Sequence, residues 1–220
     1  MDKDDSRLVP KTTKSESALD VAAFIGSAVP WIGGPVSNVL SGMSWGRKFA
    51  RVREVLEGLA SDLAEFKSEI SEEYVKTEDF EELLEHTLRR VASERNEGKR
   101  KIYRAFLTNA IESPGESYDE QIRFLRTLEE LQPDHVRIIR ALSQTPDPDP
   151  GSMGTPIKTL GQRLPELEKE RIGELISQLN DLRVTNLTSL KAMMTGSGAA
   201  DLRHTITPYG KRFLQYIVEA

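Results

Sequence analysis

The chain has no cysteine, which excludes disulfide staples, thiol nucleophiles and thiolate metal sites and fits a reducing, cytoplasmic setting. Histidine is scarce too. His86, His135 and His204 stand apart, with no His-x-x-x-His or Glu-x-x-His spacing, so zinc and di-iron sites lack ligands and neither a metal nor a cofactor is expected. Gly-x-x-x-x-Gly-Lys and Gly-x-Gly-x-x-Gly phosphate loops are missing. The acidic run Glu78, Asp79, Glu81, Glu82 and Glu85 spreads around a helix start and suits its dipole better than it makes a paired-carboxylate site. Without convergent groups, no catalytic residue is assigned and an enzyme is not expected. A basic excess is lacking as well: the net charge is -5, with -6 through Gln132 and +1 from Pro133 onward. A strong nucleic-acid binder would show the opposite balance.

Against 30% charged residues overall, the stretch from Ala18 to Gly46 carries one charge, Asp20. Pro30 and the run Gly33, Gly34, Pro35 break it into two apolar pieces, each short of the ~20 residues that span a bilayer as a helix. Residues 1–17 are polar and of mixed charge, with no apolar core or cleavage pattern of a secretory signal, and read as a disordered tail. The broken hairpin at 18–46 has two readings: a buried hairpin at the centre of a bundle, or conditional insertion into a membrane, as in pore-forming helical toxins. Small residues four apart, Ala18, Ala22 and Gly26, then Gly42 and Gly46, allow close helix contact in either case. On the second reading Phe24, Ile25, Trp31, Ile32 and Trp45, with Arg47, Lys48 and Arg51, form the membrane or partner contact, giving a peripheral membrane protein.

Phe49, Val52, Leu56, Leu59, Leu63, Phe66 and Ile70 follow at spacings alternating between three and four, a heptad seam. The helix carrying it is expected to start near Val36. The seam needs a facing helix, from the same chain in the simpler reading or from a second copy if it is an oligomer seam. Thr77 caps a helix with Phe80, Leu83, Leu84, Leu88 and Val91 inward, and one long helix weakened by Gly98 is expected to run on to Ile111. Arg89, Arg90, Arg95, Lys99, Arg100, Lys101 and Arg104, interleaved with Glu94 and Glu97, read as a solvated, ion-paired face. Ser117 with Glu120 opens a further helix as a capping box.

From Pro133 the pattern changes to a short helix, a Pro/Gly loop, a helix capped by Thr155-Pro156, a helix from Glu168 to Asp181, two short strands (186–194 and 201–207) joined around Gly196-Ser197-Gly198, and a closing helix. This order, with the step Thr207, Pro208, Gly210 and Phe213 after the second strand, resembles the winged-helix domains of bacterial regulators of the MarR and PadR groups. The resemblance covers 133–220 and implies that the helix from Glu168 to Arg183 is a recognition helix and the 196–198 region a wing tip. It makes Lys169, Arg171, Gln178, Arg183, Lys191, Arg203, Lys211 and Arg212 the nucleic-acid contacts. The segment from Glu166 to Arg183 nevertheless has a net charge of -2, unfavourable for a phosphate-facing helix. The N-terminal half is similar, through Pro30, Ile32, Gly33, Gly34, Pro35 and the heptad helix, to bacterial helical proteins with a Gly/Pro-rich apolar hairpin.

The expected architecture is mainly α: a helical bundle at 18–132 and a winged helix with a small β-hairpin at 133–220. Function is expected to come from association, with a protein partner, a second copy or a membrane surface, in a defence or stress role. A DNA-binding regulator dimerising through its helical domain is the alternative.

Overall fold

The computed structural model describes Ala23, Gly26 and residues 32–41, 47–65, 72–112, 114–146 and 151–218. The expected tail at 1–17 and the contacts Phe24, Ile25, Trp31, Trp45, Phe66 and Ile70 lie outside the described residues. The fold is mainly helical, with one small antiparallel sheet. Backbone contacts divide it into two units: Met1–Ser93 with Ile111–Ser113, and Glu94–Ala110 with Pro114–Ala220.

In the first unit, α1 (Gly33–Ser41) and α2 (Arg47–Glu65) both pack against α4 (Glu78–Ser93), with the single turn α3 (Glu72–Val75) leading into α4. Residues 42–46, within the helix expected to start near Val36, lie outside the described residues. Ile32, Val36, Val39 and Leu40 are buried, so the second half of the apolar stretch supplies core. Ile32 is fully inaccessible in this structure. In α2, Val52, Leu56, Leu59 and Leu63 are each 0% exposed, and Val55 and Ala60 widen the stripe beyond a strict two-position seam. The described part of the seam is thus covered by α4 of the same chain, the simpler of the two readings of the sequence. Phe80, Leu83, Leu84, Leu88 and Val91 face it from α4. Thr77 caps α4 through Oγ1, which accepts the Phe80 amide at 3.2 Å, and at the other end Arg51 donates to the Ala92 carbonyl at 3.0 Å.

The single long helix expected from Thr77 to Ile111 is instead two, α4 and α5 (Glu97–Glu112), broken at Glu94–Asn96. Two polar side chains make the break: the Glu94 carboxylate accepts the Asn96 amide at 2.7 Å, and Asn96 Oδ1 accepts the Lys99 amide at 3.1 Å. Short polar side chains that bond nearby amides compete with helix continuation and then cap the next one.

In the second unit, α6 (Tyr118–Glu130) and α7 (Pro133–Ser143) are followed by β1 (Met153–Gly154), α8 (Pro156–Arg163), α9 (Lys169–Asp181), β2 (Met194–Thr195), α10 (Gly196–Ala200), a 3-10 turn (Arg203–Thr205) and α11 (Pro208–Ile217). Phe124 of α6 meets Tyr209, Phe213 and Tyr216 of α11 at centroid distances of 5.4, 5.8 and 5.1 Å. Asn109 of α5 donates to the last carbonyls of α11, those of Tyr216 and Val218. These contacts join helices on both sides of the 132/133 position that the sequence pattern marks as a boundary. The Ser117–Glu120 box is half made: Ser117 caps the Glu120 amide, while the Glu120 carboxylate turns to Arg212.

The two-stranded hairpin expected at 186–207 does not form. β2 pairs with β1, Met153 opposite Thr195 and Gly154 opposite Met194, and the 185–206 closure is one bridge between Thr185 and Ile206. Thr195 Oγ1 accepts the Gly198 amide, so Gly196-Ser197-Gly198 opens the short helix α10 rather than turning a hairpin.

Candidate interaction surface

Two exposed methionines mark the β1–β2 ribbon, Met153 on β1 and Met193 immediately before β2. Met153 and Thr195 are directly opposed and share a face, while Gly154 and Met194 share the other. Met153 is 52% and Met193 66% exposed, and they are the exposed large hydrophobics among the described residues. Unbranched thioether side chains adapt to differently shaped partners and recur on adaptable binding surfaces.

Beside the ribbon lies an open cleft of about 390 Å³. Met153 forms part of its rim, Lys158, Thr159, Gln162 and Arg163 of α8 one wall, and Ala199 and Ala200 of α10 part of another. Arg163 braces it, donating to the Ala141 carbonyl at 2.6 Å and the Ala200 carbonyl at 2.8 Å, and Thr159 Oγ1 donates to the Ala199 carbonyl at 2.9 Å. The ribbon presses on α10: a Cβ at Gly154 would stand 2.9 Å from the Ala199 methyl, so glycine lets the strand come this close. Among the described residues that line the cleft, none is acidic.

The residues proposed from the winged-helix resemblance do not assemble into one cationic face. Arg171 is bound to Glu174 at 3.0 Å and to the Gln132 side chain at 2.9 Å. Arg203 grips Asp201 through two contacts of 2.8 and 2.7 Å and holds its carboxyl well below the usual range, at about 2. Arg212 spans Glu116 and Glu120 at 2.8 and 2.5 Å. Lys169, Arg183, Lys191 and Lys211 are exposed, Arg183 with a left-handed φ of 59° that ends the α9 segment. Glu170, Glu174 and Asp181 share the exposed surface of α9 with Lys169.

Gln178 is committed elsewhere. His135 is 2% exposed, and its Nδ1 accepts the Gln132 amide at 2.9 Å, which leaves Nε2 as the protonated nitrogen that donates to Gln178 Oε1 at 2.7 Å. The start of α7 is thereby tied to the middle of α9. Burial, more than any charge nearby, pushes the His135 pKa down.

On α2, Lys48 is exposed, while Arg51 is half-buried and spent on the end of α4. In the α5 cluster Lys101 pairs with Glu97 at 2.9 Å as their interleaving suggests, but the face is not solvated throughout: Lys99 turns inward to the Glu129 carbonyl at 2.6 Å, and Arg100 is buried and donates to the Arg95 carbonyl at 3.0 Å. Among the described residues no group of three His, Asp or Glu side chains is placed to hold a metal, and no helix is long and apolar enough to cross a membrane.

Sequence reasoning missed Met153 by assigning it to a loop with nothing to bury. The signal was available in Met193 and Met153, large apolar residues set among Gly, Ser and Thr where no periodic face claims them. No protein-family model matches this chain, and no curated protein and no solved structure matches it either.

Proposed function

We infer that this chain is a non-catalytic adaptor or effector that works by binding another protein through the β1–β2 ribbon and its adjoining cleft. The observation that carries this reading is the pair of exposed methionines, Met153 on β1 and Met193 immediately before β2, with Met153 lining a cleft of a size that receives side chains. Against the alternative of DNA reading stand the internal pairing of Arg171, Arg203 and Arg212 and the acidic surface of α9, since phosphate neutralisation supplies most non-specific affinity. Against membrane insertion of the whole apolar stretch stands the burial of Ile32, Val36, Val39 and Leu40 in the first unit.

Photo-crosslinking tests the assignment. A benzophenone amino acid placed in turn at positions 153, 193, 169 and 211 of the full chain is expected to give protein adducts from 153 and 193. Nucleic-acid adducts from 169 and 211, with none to protein from the ribbon, refute it.

A further inference from the structure

We propose that Met153 and Met193 form a reversible oxidation site, at which hydrogen peroxide converts both thioethers to sulfoxides and strips the ribbon of its exposed apolar surface while the fold stays intact. The chemistry does not depend on what docks at the ribbon, and it adds a means of turning that surface off.

Reactivity is the first argument. The chain has five methionines and no cysteine, so a mild two-electron oxidant meets no thiolate and the thioethers are the softest nucleophiles it finds. Met153 and Met193 are each more than half exposed, within reach of peroxide in the solvent. A lone pair on Sδ attacks one peroxide oxygen, the O–O bond breaks as the S–O bond forms, and the departing hydroxide takes the proton of the attacked oxygen and leaves as water. Sulfur is oxidised by two electrons and peroxide is reduced by two. Met194, the next residue in the chain, is the internal reference. It faces the other way from Met153 and is only partly exposed, and its Sδ lies 3.7 Å from where a Cβ at Gly198 would stand, which shields it behind the start of α10.

Tolerance is the second argument. A sulfoxide made in a core strands a polar group among apolar neighbours, whereas at Met153 and Met193 the new oxygen is hydrated where it forms. What disappears is apolar surface, since these two are the exposed large hydrophobics among the described residues. Lacking thiols, the chain cannot reduce its own sulfoxides, and return requires the two stereospecific methionine sulfoxide reductases, one for each sulfoxide epimer.

The full chain and the variant Met153→Leu combined with Met193→Leu, which keeps the apolar bulk without the sulfur, are treated with hydrogen peroxide, digested and mapped by mass spectrometry. Sulfoxide is expected at 153 and 193 at rates within ~3-fold of that of free methionine, and at 194 at least ~3-fold more slowly than at either. The oxidised wild type should elute earlier from a hydrophobic-interaction column with its thermal midpoint unchanged, and treatment with both reductases should restore its elution. The leucine variant reports any shift that arises elsewhere in the chain, and the shift of the wild type should exceed it. Resistance of 153 and 193 to peroxide, or oxidation of 194 as fast as either, overturns the site. A thermal midpoint lowered by oxidation in the wild type but not in the variant, or equal elution shifts in the two proteins, overturns the switch. None of these results touches the docking reading, which is tested by crosslinking from the unoxidised chain.

Discussion

Acidification should loosen the second unit through one residue, His135. Its Nδ1 already accepts the Gln132 amide, so a proton added there would set one donor against another, inside a site 2% exposed. The groups facing the ring are Gln178 and Arg171 of α9, and Gln132 and Asp134 at the start of α7; burial dominates and Arg171 adds to it, lowering the folded-state pKa below the ordinary 6.5. The unfolded chain therefore binds more protons than the folded one just below pH 6.5. Stability from this group is fully present above 6.5 and is lost as pH falls from 6.5 toward the folded value, at up to about 1.4 kcal/mol per pH unit. His135→Gln is the reference variant. It sits at the third helical position, where glutamine ordinarily completes a capping box, so it keeps the acceptor for the Gln132 amide without titrating. Urea denaturation of both proteins at pH 7.5, 6.5 and 5.5 reads the difference, and the imidazole resonance missing from the variant's NMR spectrum should show a midpoint below 6.5. Equal losses of stability in the two proteins between pH 7.5 and 5.5 would refute the reasoning.

Gly210→Ala should destabilise the second unit by ~3 kcal/mol or more, because its new Cβ would fall 2.1 Å from the Val184 carbonyl oxygen and backbone would have to move; a change under about 0.5 kcal/mol in thermal denaturation contradicts the close approach. Leu59→Ala should cost ~2 to 5 kcal/mol of stability in the first unit and leave the oligomeric state unchanged by light scattering, since that side chain is buried within its own chain. Thr77→Ala should cost ~1 kcal/mol and Thr77→Asp should recover most of it, read by chemical denaturation.

What the sequence made legible was local. Thr77, Ser117 and Thr155 cap the helices expected of them, because an N-cap acts over three residues. The spacing of Val52, Leu56, Leu59 and Leu63 marked a buried face, since periodicity reports burial; what fills the space opposite is decided by distant residues, here α4. The break at Glu94–Asn96 hid in a polar stretch where charge spacing reads the same in a helix and in a capped turn. At Thr195 two local preferences competed, a Gly-Ser-Gly turn against a capped helical turn, and pairing of Met194 with Gly154, forty residues away, decided the outcome. The ribbon surface was invisible for that reason, and so was the His135–Gln178 link across 43 residues.

The bridge between Thr185 and Ile206 has a consequence for how this protein can change over time. With the Asn186 amide bonded to the Thr205 carbonyl at 2.9 Å and the Thr207 amide to that of Val184 at 3.1 Å, the chain leaves and rejoins the helical scaffold through one narrow neck. Whatever lies beyond a closed neck can lengthen, shorten or alter its lettering at small entropic cost, because the ends are already held together. Diversification of the molecule should therefore concentrate at the exposed Thr188, Ser189, Lys191 and Ala192, while the buried Leu187, Ala199, Ala200 and Leu202 of the same excursion hold to the scaffold and pass unchanged with it.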